Sequence, residues 1–419
     1  MKPARPYVPE SPAPGRRAAA LPFIFIVVFI DTLGIGLAMP VLPMLVGAFT
    51  PSRELQAYWY GVLVVVYGLM QFFCAPLLGA LSDRFGRRPV ILASIFGLGL
   101  HYLLLAVAPS LAFMLLARVI GGVTGASFSV ASAYASDISS AEGRAKSFGL
   151  IGAAFGLGFI FGPMLGGLLG SIDLHLPFYL AAGLSLLNGL YGLIVVPESL
   201  PRDRRAAFAL RRANPFSALL ALSRHREIGR LVLVFALVVL AQLILQTTWV
   251  LFTHFRFGWG PRENGFALFC VGVVAAVVQG ALLGPLLRRF GEVRLALTGL
   301  SVGTIAYLLY GLAPQGWIMY AIIVGNFLSF AAGPALQGIV SNAVGPREQG
   351  VTMGALNSIQ SIMFVVAPAI GTPLLAQVSH LPPSDWKVGV TFFVSAALQA
   401  VALVVARRHF AFQRVARPA

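Results

Sequence analysis

Gly79-Ala80-Leu81-Ser82-Asp83-Arg84-Phe85-Gly86-Arg87-Arg88-Pro89 packs four charged residues into a short turn, in a chain where only 11% of residues are charged. It joins two long apolar stretches, 58–81 and 90–108. A weaker copy, Gly284-Pro285-Leu286-Leu287-Arg288-Arg289-Phe290-Gly291, follows the apolar stretch 264–287. The glycines and the Arg-Phe-Gly recur, with Arg288 where the first copy has Asp83. A charged turn repeated at equivalent places predicts two halves of similar design, an architecture common among transporters.

Composition explains what surrounds these turns. Apolar residues make up 58% of the chain and mean hydropathy is +0.85. A soluble domain carries about a quarter charged residues, so this chain has too few to cover a water-facing surface. A membrane-crossing helix needs about 20 apolar residues. Such stretches lie at 21–44, 58–81, 90–108, 111–136, 147–170, 177–196, 230–253, 264–287, 294–313, 317–340, 350–376 and 388–406. Gly and Pro interrupt many of them, which membrane helices tolerate because neighbours re-satisfy the freed backbone groups. Runs such as Leu231–Leu240 do not alternate, which excludes a barrel. The expected fold class is an all-α membrane protein, with twelve transmembrane helices in two six-helix bundles. A tail, 1–20, is expected to be disordered and cytoplasmic, and the bundles span 21–196 and 230–406. A cytoplasmic linker, 197–229, joins them, with an amphipathic helix possible at 214–222, and 407–419 is a basic tail.

Charge sets the orientation. Of 30 Lys and Arg, Arg53, Arg256, Arg262 and Lys387 fall on one side, Arg118 falls inside a span, and all others fall on the side of the tails. The positive-inside rule then puts both termini in the cytoplasm, across a cell inner (plasma) membrane. The formal charge of +16 is scattered over short loops, which fits anionic headgroups and not nucleic acid. Cys74 and Cys270 both lie inside spans and read as small packing residues. There is no Gly-x-x-x-x-Gly-Lys-Ser/Thr loop, no metal cluster and no nucleophile–His–acid set. Neither an enzyme nor an ATP-driven pump is expected, and no cofactor or metal.

Three blocks carry a family resemblance. Gly79, Asp83, Arg84, Gly86, Arg87 and Arg88 complete a loop that resembles the signature of the major facilitator superfamily. Gly149, Gly158, Gly162-Pro163 and Gly166-Gly167 resemble its drug/proton antiporter motif in the fifth span. The first span, Asp31-Thr32-Leu33-Gly34 through Pro43, is similar to tetracycline/proton antiporters, as is Tyr67-Gly68-Leu69-Met70-Gln71. The likeness continues through Gln242, Gln246, Gly316-Trp317 and Pro334-Ala335-Leu336-Gln337. The resemblance implies alternating access driven by the proton gradient. It also implies a latch, with Asp83 on the amino-terminal end of an eleventh helix beginning near Gln349, that breaks when the cytoplasmic side opens.

The blocks have physical readings too. Gly158, Gly162 and Gly166 lie four apart, on one helix face that lets backbones approach closely. Either packing alone or a smooth face between rocking halves explains them, and Pro163 predicts a kink. A carboxylate such as Asp83 at a helix end can hold the positive end of another helix, worth about 0.3–1 kcal/mol.

Asp31 and Arg118 are the charges deep in spans. At about 1.5 Å per residue, Asp31 lies roughly 15 Å from one face and Arg118 roughly 12 Å from the other. His101 falls at a similar level. An isolated intramembrane charge costs at least about 2.5–3.5 kcal/mol, so each needs a partner or a wet cavity. A static Asp31–Arg118 pair and a proton-coupling pair both meet that need, and the second is favoured. Asp31 is then the proton carrier and Arg118 its tuner. His101 either bonds a backbone carbonyl or titrates. The resemblance places acids at His101 and Gly303, which would help bind a metal–tetracycline complex, so tetracycline itself is not expected as substrate. Gln71, Gln242, Gln246, Trp249, Asn326, Asn357 and Gln360 suggest a neutral hydrogen-bonding wall, each alone also explicable as interhelical glue. The expected function is a monomeric, proton-coupled exporter of a small amphiphilic organic molecule. An importer or facilitator of the same fold is the alternative, and a non-transporting receptor or scaffold a more distant one.

Overall fold

The computed structural model of the chain describes residues 14–125, 127–139, 144–206, 229–345 and 348–416. The expected amphipathic helix at 214–222 lies outside them. All regular elements among the described residues are helical. The first half holds α1 (Pro22–Ala38, bent by 42° into Leu42–Ala48), α2 (Arg53–Phe85), α3 (Arg87–Ala106), α4 (Leu111–Ile138), α5 (Lys146–Gly170) and α6 (Leu176–Val195). The second holds α7 (Gly229–Phe257), α8 (Pro261–Phe290), α9 (Glu292–Leu312), α10 (Gly316–Gly325, bent by 50° into Phe327–Asn342), α11 (Gln349–Val378) and α12 (Trp386–Ala411). Ten of these are single helices long and apolar enough to cross a membrane, and two are bent pairs.

Local chemistry places the bends. Pro43 occupies the first turn of the short helix after the α1 bend, where a missing N–H costs nothing. In α10 the 3₁₀ turn Phe327–Ala331 precedes Pro334, whose ring cannot donate to the preceding turn. The kink expected at Pro163 is not a break, since α5 runs as one helix through it. Helices also reach into the expected tails, beginning at Pro14 and running on to Ala416. At 33 residues α2 spans about 50 Å, well beyond a core of about 30 Å, so its ends protrude.

The repeated turn has a backbone cause. Gly86 ends α2 with φ 106° and Gly291 ends α8 with φ 73°, a region that L side chains rarely adopt. The two charged loops are alike because each reverses the chain through one left-handed glycine.

Among the described residues, the core contacts between the halves gather toward one end. We term the end that carries Phe23, near one described chain end, and Phe410, near the other, the terminal end. At the far end one apolar core joins Leu42, Leu45 and Leu63 of the first half to Leu251, Phe255 and Leu375 of the second. Another joins Met44 to Trp249 and Trp259. Arg53 lies 5.5 Å over the Phe255 ring across the same seam. At the terminal end each half keeps its own core, Phe23, Ile91 and Tyr134 in one, and Leu231, Leu336 and Phe410 in the other. The glycines agree. A Cβ added at Gly61 would strike Thr372, and one at Gly167 would lie 2.8 Å from Gly265 Cα. Toward the terminal end, Cβ atoms added at Gly79, Gly149, Gly152, Gly350 or Gly354 would meet nothing within 4 Å. Among the described residues, the two halves are joined at the far end and leave an opening at the terminal end.

Candidate functional site

Four helices of the first half converge on Asp31. It is buried, and Thr32 beside it returns its hydroxyl to the Val28 carbonyl at 2.8 Å, which leaves the helix to present the carboxylate. Arg118 of α4 lies with its guanidinium 4.9 Å over the Tyr67 ring of α2. Its Nε is buried without a hydrogen-bond partner among the described residues. Tyr67 and Tyr102 each lie within electrostatic reach of both Asp31 and Arg118, and Tyr60 of Arg118. A desolvated cation over an aromatic face gains about 2 kcal/mol. That offsets most of the roughly 2.5–3.5 kcal/mol an intramembrane charge costs. The Tyr67 face therefore helps hold Arg118 in place inside the span.

Tyr60, Tyr67 and Tyr102 are the part that reading the sequence for charges misses. Their signal was present: Tyr60 and Tyr67 sit two turns apart on one face of a span, and a tyrosine hydroxyl inside a membrane needs a partner. Gly34 and Gly125 make the room. A Cβ at Gly34 would lie 2.7 Å from the Tyr102 hydroxyl, and one at Gly125 2.9 Å from that of Tyr67.

His101 sits beside this box, its ring centroid 4.9 Å from Tyr102 and 6.0 Å from Tyr67. Its Nδ1 is 2.7 Å from the Ala117 carbonyl. A carbonyl only accepts, so Nδ1 carries a proton and the bond ties α3 to the residue before Arg118. Gly121 leaves space for the ring, since a Cβ there would lie 2.6 Å from it. Of the two expectations for His101, this geometry supplies the backbone bond.

The remaining expected residues divide. Gln242, Asn357 and Gln360 are exposed and Gln246 is partly so. Asn357 lies on the face of α11 that carries Phe364 and, farther along, Thr372 against α2, so it continues into the opening. Gln71 is tied to the Gly125 carbonyl at 3.1 Å, bracing the middle of α4. Trp249 and Asn326 are buried, Trp249 in the core that reaches Met44 across the seam, and not on an open wall. Trp249 packs edge-on against Tyr310 at 5.3 Å. Gly303 is abutted by Gln399, whose Nε2 donates to Leu300 at 3.2 Å, so an amide fills the space beside it.

The glycine stripe of α5 packs inside its own half. A Cβ at Gly162 would lie 2.7 Å from Gly36 Cα, and those at Gly158 and Gly166 would strike Leu33 and Leu37 backbone atoms of α1. The approach to the other half is made instead by Gly167, one residue on, which faces Gly265 of α8. Gly162→Val should therefore prevent the first half from assembling, whereas Gly149→Ala, in open space, should fold normally. Monodisperse yield in detergent checks both, and equal yields would contradict this packing.

The charged loop is also internal. Asp83 Oδ1 pairs with Arg87 at 2.6 Å and its side chain is 48% exposed; the contact with the start of α11 expected of it is not made among the described residues. Arg87 holds Asp137 of α4 at 3.1 Å and the Ser82 hydroxyl, and its backbone N–H donates to Glu198 at 2.8 Å. Arg88 donates to the Leu193 carbonyl at 2.7 Å, and Arg84 stacks 5.1 Å over Phe85. Asp137 and Glu198 have no signal in the sequence beyond being acids near helix ends.

The Major Facilitator Superfamily pattern matches residues 24–368 of this chain. The chain belongs to that superfamily and is a multi-pass membrane transporter, not an enzyme. It is 39% identical over 389 residues to the tetracycline resistance protein, class C, of Escherichia coli, covering 93% of this chain and 96% of that one. It is 36% identical over 375 residues to the class B protein of Escherichia coli, covering 88% and 92%. The crystal structure of the human organic anion transporter MFSD10 (TETRAN) matches with TM-score 0.67 at 26% identity, over 93% of this chain and 99% of that one. An inward-facing, occupied bacterial homologue of the lysosomal transporter Spinster shares the fold, with TM-score 0.76 at 16% identity over 95% and 97%.

Proposed function

We propose that this protein exports a small amphiphilic organic compound from the cytoplasm in exchange for protons, as a monomer in the cell inner membrane. Each bent pair is one crossing, giving twelve spans, and the terminal end faces the cytoplasm. The form described above is then inward-open, ready to load substrate. Asp31 carries the proton. Arg118, held over Tyr67, is the cation that tunes it, and water or substrate entering the opening drives the exchange. Gln242, Gln246, Asn357 and Gln360 offer uncharged donors and acceptors to the substrate. The observation that carries this reading is the placing of buried Asp31 and half-buried Arg118 around shared tyrosines, since intramembrane ionisable residues mark transport paths.

The similarity to tetracycline resistance proteins supports a drug as substrate. His101 and Gly303, with Gln399 beside it, are neutral where the resemblance places acids, so we read the substrate as one that needs no metal ion. Cells making the protein should accumulate less of a transported compound, and a protonophore should restore accumulation while ATP is held constant. Omitting magnesium should leave export unchanged. Export that survives the protonophore would contradict proton coupling.

His101 is a positioning residue in this scheme. His101→Gln can keep a bond to Ala117, so the pH profile of transport should match the wild type even if its rate falls a few-fold. A displaced pH profile would instead assign the proton to the imidazole.

A further inference from the structure

A second group of charges, outside the transport path, closes one side of the first half. At the terminal end, the start of α3 and the chain leaving α6 enclose an open-sided cavity of about 500 Å³. Its apolar wall includes Leu92 and Phe96, one turn apart on α3, and Leu193 of α6. Its polar rim is Arg88, Arg205 and Glu198. Glu198 is already engaged: Oε1 accepts the N–H groups of Arg87 at 2.8 Å and Leu200 at 3.0 Å, and Oε2 lies 3.7 Å from Arg205. Arg88 gives one N–H to the Leu193 carbonyl, which brings no charge. The Nε atoms of both Arg88 and Arg205 are buried without a hydrogen-bond partner among the described residues. Two guanidinium groups thus face one carboxylate, which leaves an excess of positive charge at the rim.

Depth decides what fits. α3 begins at Arg87 and α6 ends at Val195, so the arginines sit at headgroup level. The wall below them faces the bilayer, where Leu193 is 46% and Ile194 86% exposed. An anion alone would use the rim and leave the wall bare, and an apolar chain alone would leave the donors unpaired. We propose that this cavity binds one anionic phospholipid of the leaflet facing the chain ends. Its phosphate oxygens accept from Arg88 and Arg205, and an acyl chain lies along Leu92, Phe96 and Leu193. Glu198 orients Arg205 and caps α3, and so the lipid would fasten the first residues of the linker to the charged loop.

The test is native mass spectrometry of the purified full chain with dioleoyl phosphatidylglycerol or dioleoyl phosphatidylcholine. One phosphatidylglycerol should be retained about tenfold better than phosphatidylcholine, the effect of one or two basic side chains at an anionic lipid surface. Arg205→Gln should remove that preference. Leu193→Trp, which fills the trough and keeps both charges, should also release the lipid, with thermal unfolding in the same detergent verifying that each variant is folded. Retention unchanged in either folded variant would overturn the proposal. So would displacement by millimolar inorganic phosphate, which would make the cavity a site for a free anion.

Discussion

Asp31→Asn should abolish proton-driven transport, lowering the initial rate at least about a hundredfold, while the protein folds and inserts as the wild type does. The neutral amide has nearly the carboxylate's shape, so the packing of α1 on α5 should survive. What it lacks is a proton to give up. Removing a buried charge also spares the roughly 2.5–3.5 kcal/mol of placing it in the membrane, so the variant should be no less stable. Arg118 should keep its seat 4.9 Å over the Tyr67 ring. Equal detergent melting temperatures with lost coupled uptake is the expected pair of results. Coupled transport at the wild-type rate would remove Asp31 from the mechanism.

Gly167→Leu should have the next largest effect, and it acts on conformation. A Cβ at this position would lie 2.5 Å from the Pro261 carbonyl oxygen and 2.8 Å from Gly265 Cα. These are backbone atoms and cannot turn aside. Overpacking costs about 1–3 kcal/mol, and about 2 kcal/mol is roughly a thirtyfold change in a two-state equilibrium. The far-end seam should open and the terminal end close. Gly354 reports this, because it lies five helical turns from Thr372 on the face of α11 turned toward α2, with open space before it. With Cys74 and Cys270 replaced by Ser, Gly354→Cys should react readily with a membrane-impermeant maleimide from the cytoplasmic side. Adding Gly167→Leu should slow that reaction at least about tenfold, with turnover falling in parallel. An unchanged labelling rate and unchanged turnover would mean that the seam does not control access.

Much of the fold was legible because the bilayer imposes so few solutions. Long apolar runs and a side-biased distribution of arginines suffice to mark the helices and their grouping. The repeated turn was readable because Gly86 and Gly291 answer the same backbone demand. Other features depend on tertiary contacts that leave no local trace. The stripe Gly158, Gly162 and Gly166 announces a close approach but not its partner, and one residue of rotation separates the α1 face from the α8 face at Gly167. The bends near Pro40 and Asn326 could not be told from the unbroken course through Pro163, because a proline's effect depends on what its neighbours supply. At the site, Asp31, Arg118 and His101 stood out by their cost in a membrane. The tyrosines that make that cost bearable did not, because aromatic residues are common in spans. Trp249 looked like cavity wall for the converse reason: its polar atom is a single N–H, and the ring is buried against Tyr310 and Phe392.

The central claim is that Asp31 exchanges the proton that drives export. The most direct measurement is substrate-evoked proton movement in sealed proteoliposomes, read by a pH dye in the lumen, for wild type and Asp31→Asn side by side. Adding substrate to wild-type vesicles should produce a luminal pH change of the sign of exchange, and Asp31→Asn vesicles should give none even if substrate still binds. Equal proton signals from the two proteins, or wild-type substrate transport with no proton signal, would contradict the claim.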